Sequence, residues 1–229
     1  MAYANTTRAQ LRASLQVRID SVPWWSATEA NDAINEALRY FNLYTGYWRG
    51  SASVLTVAGT PFISLGATLT KGARVTRSGL ALTRKSIVEF YRGRPAWRTQ
   101  ITTDGSPVPS TIKEWAPLGL NKIAIWPRDA GGTTLTVEGV KITPILAADG
   151  SFVDLGEEEL SAVESEALWI LGFKRPSTLE GLKDHHREFL QACLDRNDQL
   201  RASSTFRKWL GLDQQQRLVR TRVSAEEAN

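Results

Sequence analysis

The chain has 229 residues, 42% of them apolar and 23% charged, which is enough to bury a sizeable core in one domain or in one domain with an insertion. Its single cysteine, Cys193, rules out an intramolecular disulfide and hence a secreted disulfide scaffold. The stretch Met1 to Leu15 has no apolar h-region, and no apolar run approaches the roughly 20 residues of a bilayer-spanning helix, so neither a signal peptide nor a membrane partner is expected. The net charge of +4 is unevenly spread. Residues 51–145 have twelve Lys/Arg against five Asp/Glu, and residues 146–200 have the reverse, five against twelve. Such a split concerns association and solubility, not fold.

The first predicted element is a helix capped by Thr6 or Thr7, carrying Leu11, Leu15 and Ile19 and ending before Pro23. A second helix starts at a Ser26 or Thr28 cap, with Glu29 near its positive end. Its apolar stripe is Ala30, Ala33, Ile34, Ala37, Leu38, Phe41 and Tyr44, and Gly46 is placed to stop it. From Ser51 to Ile145 the pattern becomes short β-branched and aromatic runs broken by turn residues. Strands are expected at 54–57 and 61–65, joined at Ala58-Gly59-Thr60, and at 73–76, 111–115, 122–126 and 133–142. A third helix opens in the acidic run Glu157-Glu158-Glu159, where three carboxylates complement the helix dipole. Its buried stripe is Leu160, Val163, Ala167, Leu168 and Leu171. A last helix begins at Pro176, with Leu179, Leu182, His186, Phe189, Leu190, Cys193, Leu194 and Leu200 at threes and fours. Beyond Ser204 the tail keeps Phe206, Trp209 and Leu210 in an otherwise polar segment.

These elements predict an α+β fold. An antiparallel helical bundle is drawn from both chain ends (1–50 and 146–204), a β-rich insertion (51–145) separates helices 2 and 3, and a tail (205–229) follows.

Catalytic chemistry is not legible. Lys85-Ser86 is preceded by Arg84 and lacks the glycine that lets a P-loop wrap phosphate. His185 and His186 are neighbours on a helix, about 100° apart, and cannot grip one metal together. His186 and Cys193 both fall on the apolar stripe and read as core residues. No cofactor or metal is expected, and the protein is not expected to be an enzyme. A sequence-independent nucleic-acid module is a competing reading, because the β segment mixes Arg74, Arg77, Arg84, Lys85, Arg92, Arg94 and Arg98 with Tyr91 and Trp97.

The order of features resembles a known family. "ANDAINEALRYFNLYTGYWRG" is an aliphatic helix running into an aromatic Thr-Gly step, and "SVLTVAGTPFISL" is a strand, a Gly-Thr turn and a strand. "GLALTRKSIVEFYRGRPAWRTQ" is similar to a short apolar turn leading to an acidic-aromatic helix and a Trp. "NKIAIWPRDAGGTTLTVEGVKITP" looks like a closing hairpin, and "FVDLGEEELSAVESEALWIL" restarts the helices. From Ser26 to about Leu200 the chain thus resembles the head-to-tail adaptor (connector) proteins of tailed bacteriophages.

The resemblance implies a non-enzymatic virion part, made in the bacterial host cytoplasm and placed at the head–tail junction. It implies a homo-oligomeric ring, usually dodecameric, between the portal protein and a tail or neck protein. Genomic DNA would pass through the axial channel without sequence-specific binding. A tail-completion or other neck protein is the nearest alternative. Two sets of contacts are expected. Arg74, Arg77, Arg84 and Lys85 of one subunit pair with Glu157, Glu158 and Glu164 of the next, and Phe206, Trp209 and Leu210 grip the portal.

Overall fold

The structure, a computed structural model, describes residues 6–18, 25–173 and 179–202, with backbone only at 179–181 and 199–202. It is a mixed α+β protein with five helices and two sheets among the described residues. The chain falls into two compact units, one from Met1–Tyr47 with Thr143–Ala202 and the other centred on Trp48–Ile142.

The first unit is helical. Helix α1 spans Arg8–Arg18; Thr7 caps it, with its hydroxyl taking the Gln10 amide and the Gln10 side chain taking the Thr7 amide. Helix α2 spans Ala27–Thr45, opens on a capping box between Ser26 and Glu29, and ends on Gly46 at φ 62°, where the left-handed backbone suits glycine. The apolar spacing of α2 is realised: Ala30, Ala33, Ile34, Ala37, Leu38 and Phe41 are buried, whereas Tyr44 stays half exposed against the edge of Phe189. Helices α4 (Glu157–Gly172) and α5 (Leu179–Ala202) complete the unit, with α4 packed against both α2 and α5. Residues 162–168 of α4 are all buried, a wider buried surface than the expected stripe. On α5, Phe189 and Cys193 are buried but Leu194 is 57% exposed, so the stripe is narrower there than its spacing suggests. The expected Pro176 start lies outside the described residues.

One carboxylate gathers two arginines of α1. Asp149 Oδ1 receives Arg8 Nη2 at 2.7 Å and Arg12 Nη1 at 2.8 Å, while Oδ2 receives Arg12 Nη2 at 2.8 Å. Arg12 Nη1 also donates to Asn31 on α2 at 3.1 Å. The Arg12 and Arg8 hydrogen bonds hold the Asp149 carboxyl far below the usual carboxylate range. Asp149→Ala should therefore loosen α1 locally. Hydrogen exchange at Leu11 to Leu15 should quicken several-fold while the β8 amides do not change; unchanged α1 exchange would show that Leu11 and Leu15 packing and the Arg18–Glu164 pair hold the helix without Asp149.

The second unit is built from two four-stranded sheets and one short helix. Strands β1 (Arg49–Leu55), β8 (Thr134–Lys141), β3 (Leu69–Arg77) and β4 (Leu80–Ala81) lie in that order in the first sheet. Strands β2 (Phe62–Ser64), β7 (Lys122–Trp126), β6 (Glu114–Pro117) and β5 (Thr83–Arg84) form the second, with β5 parallel to β6. Helix α3 (Ile87–Gly93), capped by Ser86 and Glu89, lies between β5 and β6 in the chain.

Alternation explains how the layers stack. Trp115, Ile123 and Ile125 face a core shared with Val75, Leu135 and Val137 of the first sheet. Ala116, Ala124 and Trp126 point the other way, onto Phe90 and Trp97. The second sheet is covered on both faces, so "IAIW" reads as one continuous apolar run.

Neither the connection from β1 to β2 nor that from β7 to β8 closes a hairpin. β1 and β2 belong to different sheets, although only a few residues join them. The predicted closing hairpin of 122–126 with 133–142 is likewise not formed: β7 pairs with β2 and β6, and β8 with β1 and β3. The cause is Asp129, whose Oδ2 accepts Thr56 Oγ1 at 2.6 Å and the Gly131 and Thr133 amides at 3.1 and 3.2 Å. That clamp delivers the chain beside the end of β1 instead of back along β7.

Candidate functional site

The residues expected to pair between subunits lie in different surroundings. Arg74 on β3 is the register partner of Glu138 on β8, and Nη1 stands 3.4 Å from Oε1, so its charge is met within the chain. Arg77 ends β3 half-buried. Arg84 is exposed on β5 with its guanidinium 5.7 Å from the Trp115 ring centre, and Lys85 is half-buried. Glu157 and Glu158 are exposed in the first turn of α4, where they also complement the dipole. Glu164 is buried and receives Arg18 Nη2 at 3.0 Å. Arg74 and Glu164 are thus already partnered in the chain, and Arg77, Arg84, Lys85, Glu157 and Glu158 remain at or near the surface. Phe206, Trp209 and Leu210 lie outside the described residues.

The helical unit also holds an ionisable pair that spacing did not reveal. Glu166 of α4 is buried, and its Oε2 lies 2.7 Å from Nδ1 of His186 on α5. Burial, the larger influence, pushes the Glu166 carboxyl above its ordinary range, and the hydrogen bond to His186 opposes it. His186 stacks on Trp169 at 5.2 Å and is half-buried, so it belongs to the α4–α5 contact and not to the deep core. Cys193 is buried, and burial pushes its thiol up to about 12, which leaves it protonated and inert at neutral pH. Among the described residues no group of three or more His, Cys, Asp or Glu is placed to hold a metal ion.

The β unit contains a groove of about 600 Å³, lined by Arg94, Pro95, Pro107, Lys113, Glu114 and Trp126 among others. Glu114 there is 3.5 Å from Arg94, whose guanidinium sits 4.2 Å from the Trp126 ring centre. The lining offers a structural ion pair and a cation–π contact but no nucleophile with an adjacent base.

Of the two aromatic residues expected to stack on bases, Tyr91 is 49% exposed but Trp97 is not a free surface, and neither are Trp115 and Trp126. Trp97, Trp115 and Trp126 are 1%, 1% and 5% exposed. Arg98, Arg84 and Arg94 lie over their rings. A base would have to displace both the packing and the arginine to stack on these tryptophans.

No helix among the described residues is long and apolar enough to cross a membrane. No curated protein matches the chain. The family described as SU10 adaptor protein does match, over residues 6–206. The match starts well before the stretch that carried the sequence resemblance, takes in all of α1, and ends at Phe206. Its span covers every helix and strand described above. The chain therefore belongs to the SU10 adaptor protein family, a family of phage head-to-tail adaptors.

Proposed function

We propose that the chain is a non-enzymatic part of the virion that forms a ring beneath the portal vertex. The ring joins the DNA-filled head to the tail or neck and leaves an axial channel for the genome. Family membership over residues 6–206 carries this reading. The separation of charge supports it, since a closed ring needs two unlike, complementary faces on each subunit. Residues 51–145 supply the basic face and residues 146–200 the acidic one. The helices and the β insertion act as the two partners of that contact, with Arg77, Arg84 and Lys85 opposite Glu157 and Glu158. Raising salt from about 0.15 M to about 1 M shortens the screening length from roughly 8 to 3 Å, so rings held this way should dissociate, whereas salt-indifferent rings would contradict the charge pairing.

The tail is the portal grip in this account. Phe206, Trp209 and Leu210 are apolar side chains in a polar segment, and an aromatic anchor often dominates an interface. Trp209→Ala should cost about 2 kcal/mol, or roughly thirtyfold in affinity for portal rings of the same phage, by co-sedimentation. Its circular dichroism should match the wild type. Loss of fold in this variant would instead place Trp209 against its own helices.

A further inference from the structure

The helical unit has a second groove, of about 390 Å³, whose lining includes Trp25, Glu29, Asp32, Glu36, Ile170 and Leu171. Glu29, Asp32 and Glu36 recur at spacings of three and four along α2 and share one face. Ile170 and Leu171 belong to the last turn of α4, whose carbonyls add the negative end of a helix dipole. One of these, Leu171 O, takes Trp25 Nε1 at 2.9 Å, which fixes the indole as a wall. Two of the acids have structural duties: Glu29 closes the α2 capping box, and Glu36 receives the exposed Arg39 at 2.9 Å. No lysine or arginine lines the groove among the described residues, and Asp32 is exposed.

The β unit carries a surface of opposite character. On α3, Val88 is 53% and Tyr91 49% exposed, and Phe62 beside them is 39% exposed. Arg98 Nη2 donates to Tyr91 Oη, and its guanidinium lies 5.2 Å from the Tyr91 ring centre and 5.9 Å from that of Phe62. Arg92, in the last turn of α3, is exposed too. Between Lys85 and Arg98 there are four Lys/Arg, of which Arg94 is met by Glu114, against one acid, Glu89, whose carboxylate is occupied in capping α3. This is an apolar knob with a cationic rim.

We infer that the α3 knob of one copy of the chain seats in the α2–α4 acidic groove of the next copy. The inference rests on the ring reading above and places the contact at the other end of α4 from Glu157 and Glu158, in place of their pairing with Arg77, Arg84 and Lys85. Apolar floor meets apolar knob, and carboxylates meet guanidinium groups, so each surface supplies what the other lacks. The two surfaces are different patches of one chain, as a head-to-tail interface requires. Nucleic acid does not suit the groove, because phosphates would face three carboxylates and a helix C-terminus.

Cysteine cross-linking on assembled portal–adaptor complexes tests this. Val88→Cys and Ile170→Cys leave every charge in place, and the buried, protonated Cys193 stays silent. Rings mixed from the two single variants should give a covalent dimer under oxidation or with a short bis-maleimide. Rings of the double variant should give a ladder of higher multimers. Rings visible by electron microscopy without any cross-link would overturn the knob-and-groove contact alone. So would a dimer from one single variant, an internal bridge in the double variant, or a cross-link to the portal. Absence of rings would overturn this contact together with the ring reading.

Discussion

Gly139→Ala should strongly destabilise the β unit. Gly139 is in β8, the strand between β1 and β3, and it pairs with Gly50 on one side and Gly72 on the other. A Cβ there would stand 2.0 Å from the Lys71 carbonyl oxygen, 3.0 Å from its carbon and 3.1 Å from Gly72 Cα. These are backbone atoms of a paired strand, so no rotamer change relieves the clash. β3 is irregular at this point, with its register shifting between Leu69 and Lys71 and again between Gly72 and Arg74. The bulge brings its carbonyl over Gly139, and glycine is what allows the close approach. Overpacking usually costs about 1–3 kcal/mol, and a contact with fixed backbone should reach or exceed the top of that range. Gly93→Ala is the control, because nothing lies within 4 Å of its added Cβ. Urea unfolding followed by tryptophan fluorescence should show Gly139→Ala strongly destabilised and Gly93→Ala near wild type. Equal midpoints would mean that β3 can move away from β8.

Asp129→Ala should be the most damaging change in the turns. Its Oδ2 gathers Thr56 Oγ1 and the Gly131 and Thr133 amides, and Thr133 N also reaches Thr56 Oγ1 at 2.9 Å. Hydrogen bonds to a charged acceptor contribute about 1.5–3 kcal/mol, and the donors left behind are partly buried, so a loss of about 3 kcal/mol is expected. Burial acts to raise the Asp129 carboxyl, but the bonds from Thr56, Thr133 and Gly131 outweigh it, and the net shift is downward from 3.8. With the folded value below the unfolded one, the carboxylate stabilises the fold above about pH 3.8 and loses that effect as pH falls through the folded value. The stability gap between wild type and Asp129→Ala should therefore be constant near neutrality and narrow below about pH 3.8. A gap that does not change with acid would assign the loss to altered turn geometry instead of the charge.

The helices were legible because spacing and caps act locally. The α2 stripe, its capping region at Ser26 to Glu29 and the Gly46 stop are all written within one segment, although the choice of Ser26 over Thr28 and its reciprocal bond with Glu29 were not. Strand positions in 122–126 and 133–142 were legible for the same reason, but their partners were not. "IAIW" is buried on both faces, so its pattern names no side, and the choice of sheet depends on Asp129 meeting Thr56 far back in the chain. Buried Glu166 escaped notice because its partner His186 is on another helix. The surfaces were legible only as net charge. Spacing gave no sign that Arg74 and Glu164 are answered within the chain, nor that Glu29, Asp32 and Glu36 frame a groove with Trp25 and the end of α4.

The claim that the protein joins head to tail as a ring is tested most directly by imaging. The purified chain is mixed with portal rings of the same phage, and the product is examined by electron microscopy. A closed ring stacked coaxially on the portal, in fixed stoichiometry and with an open centre, is the predicted result. Intact portals with no bound ring would contradict the account and move the protein further down the neck or tail.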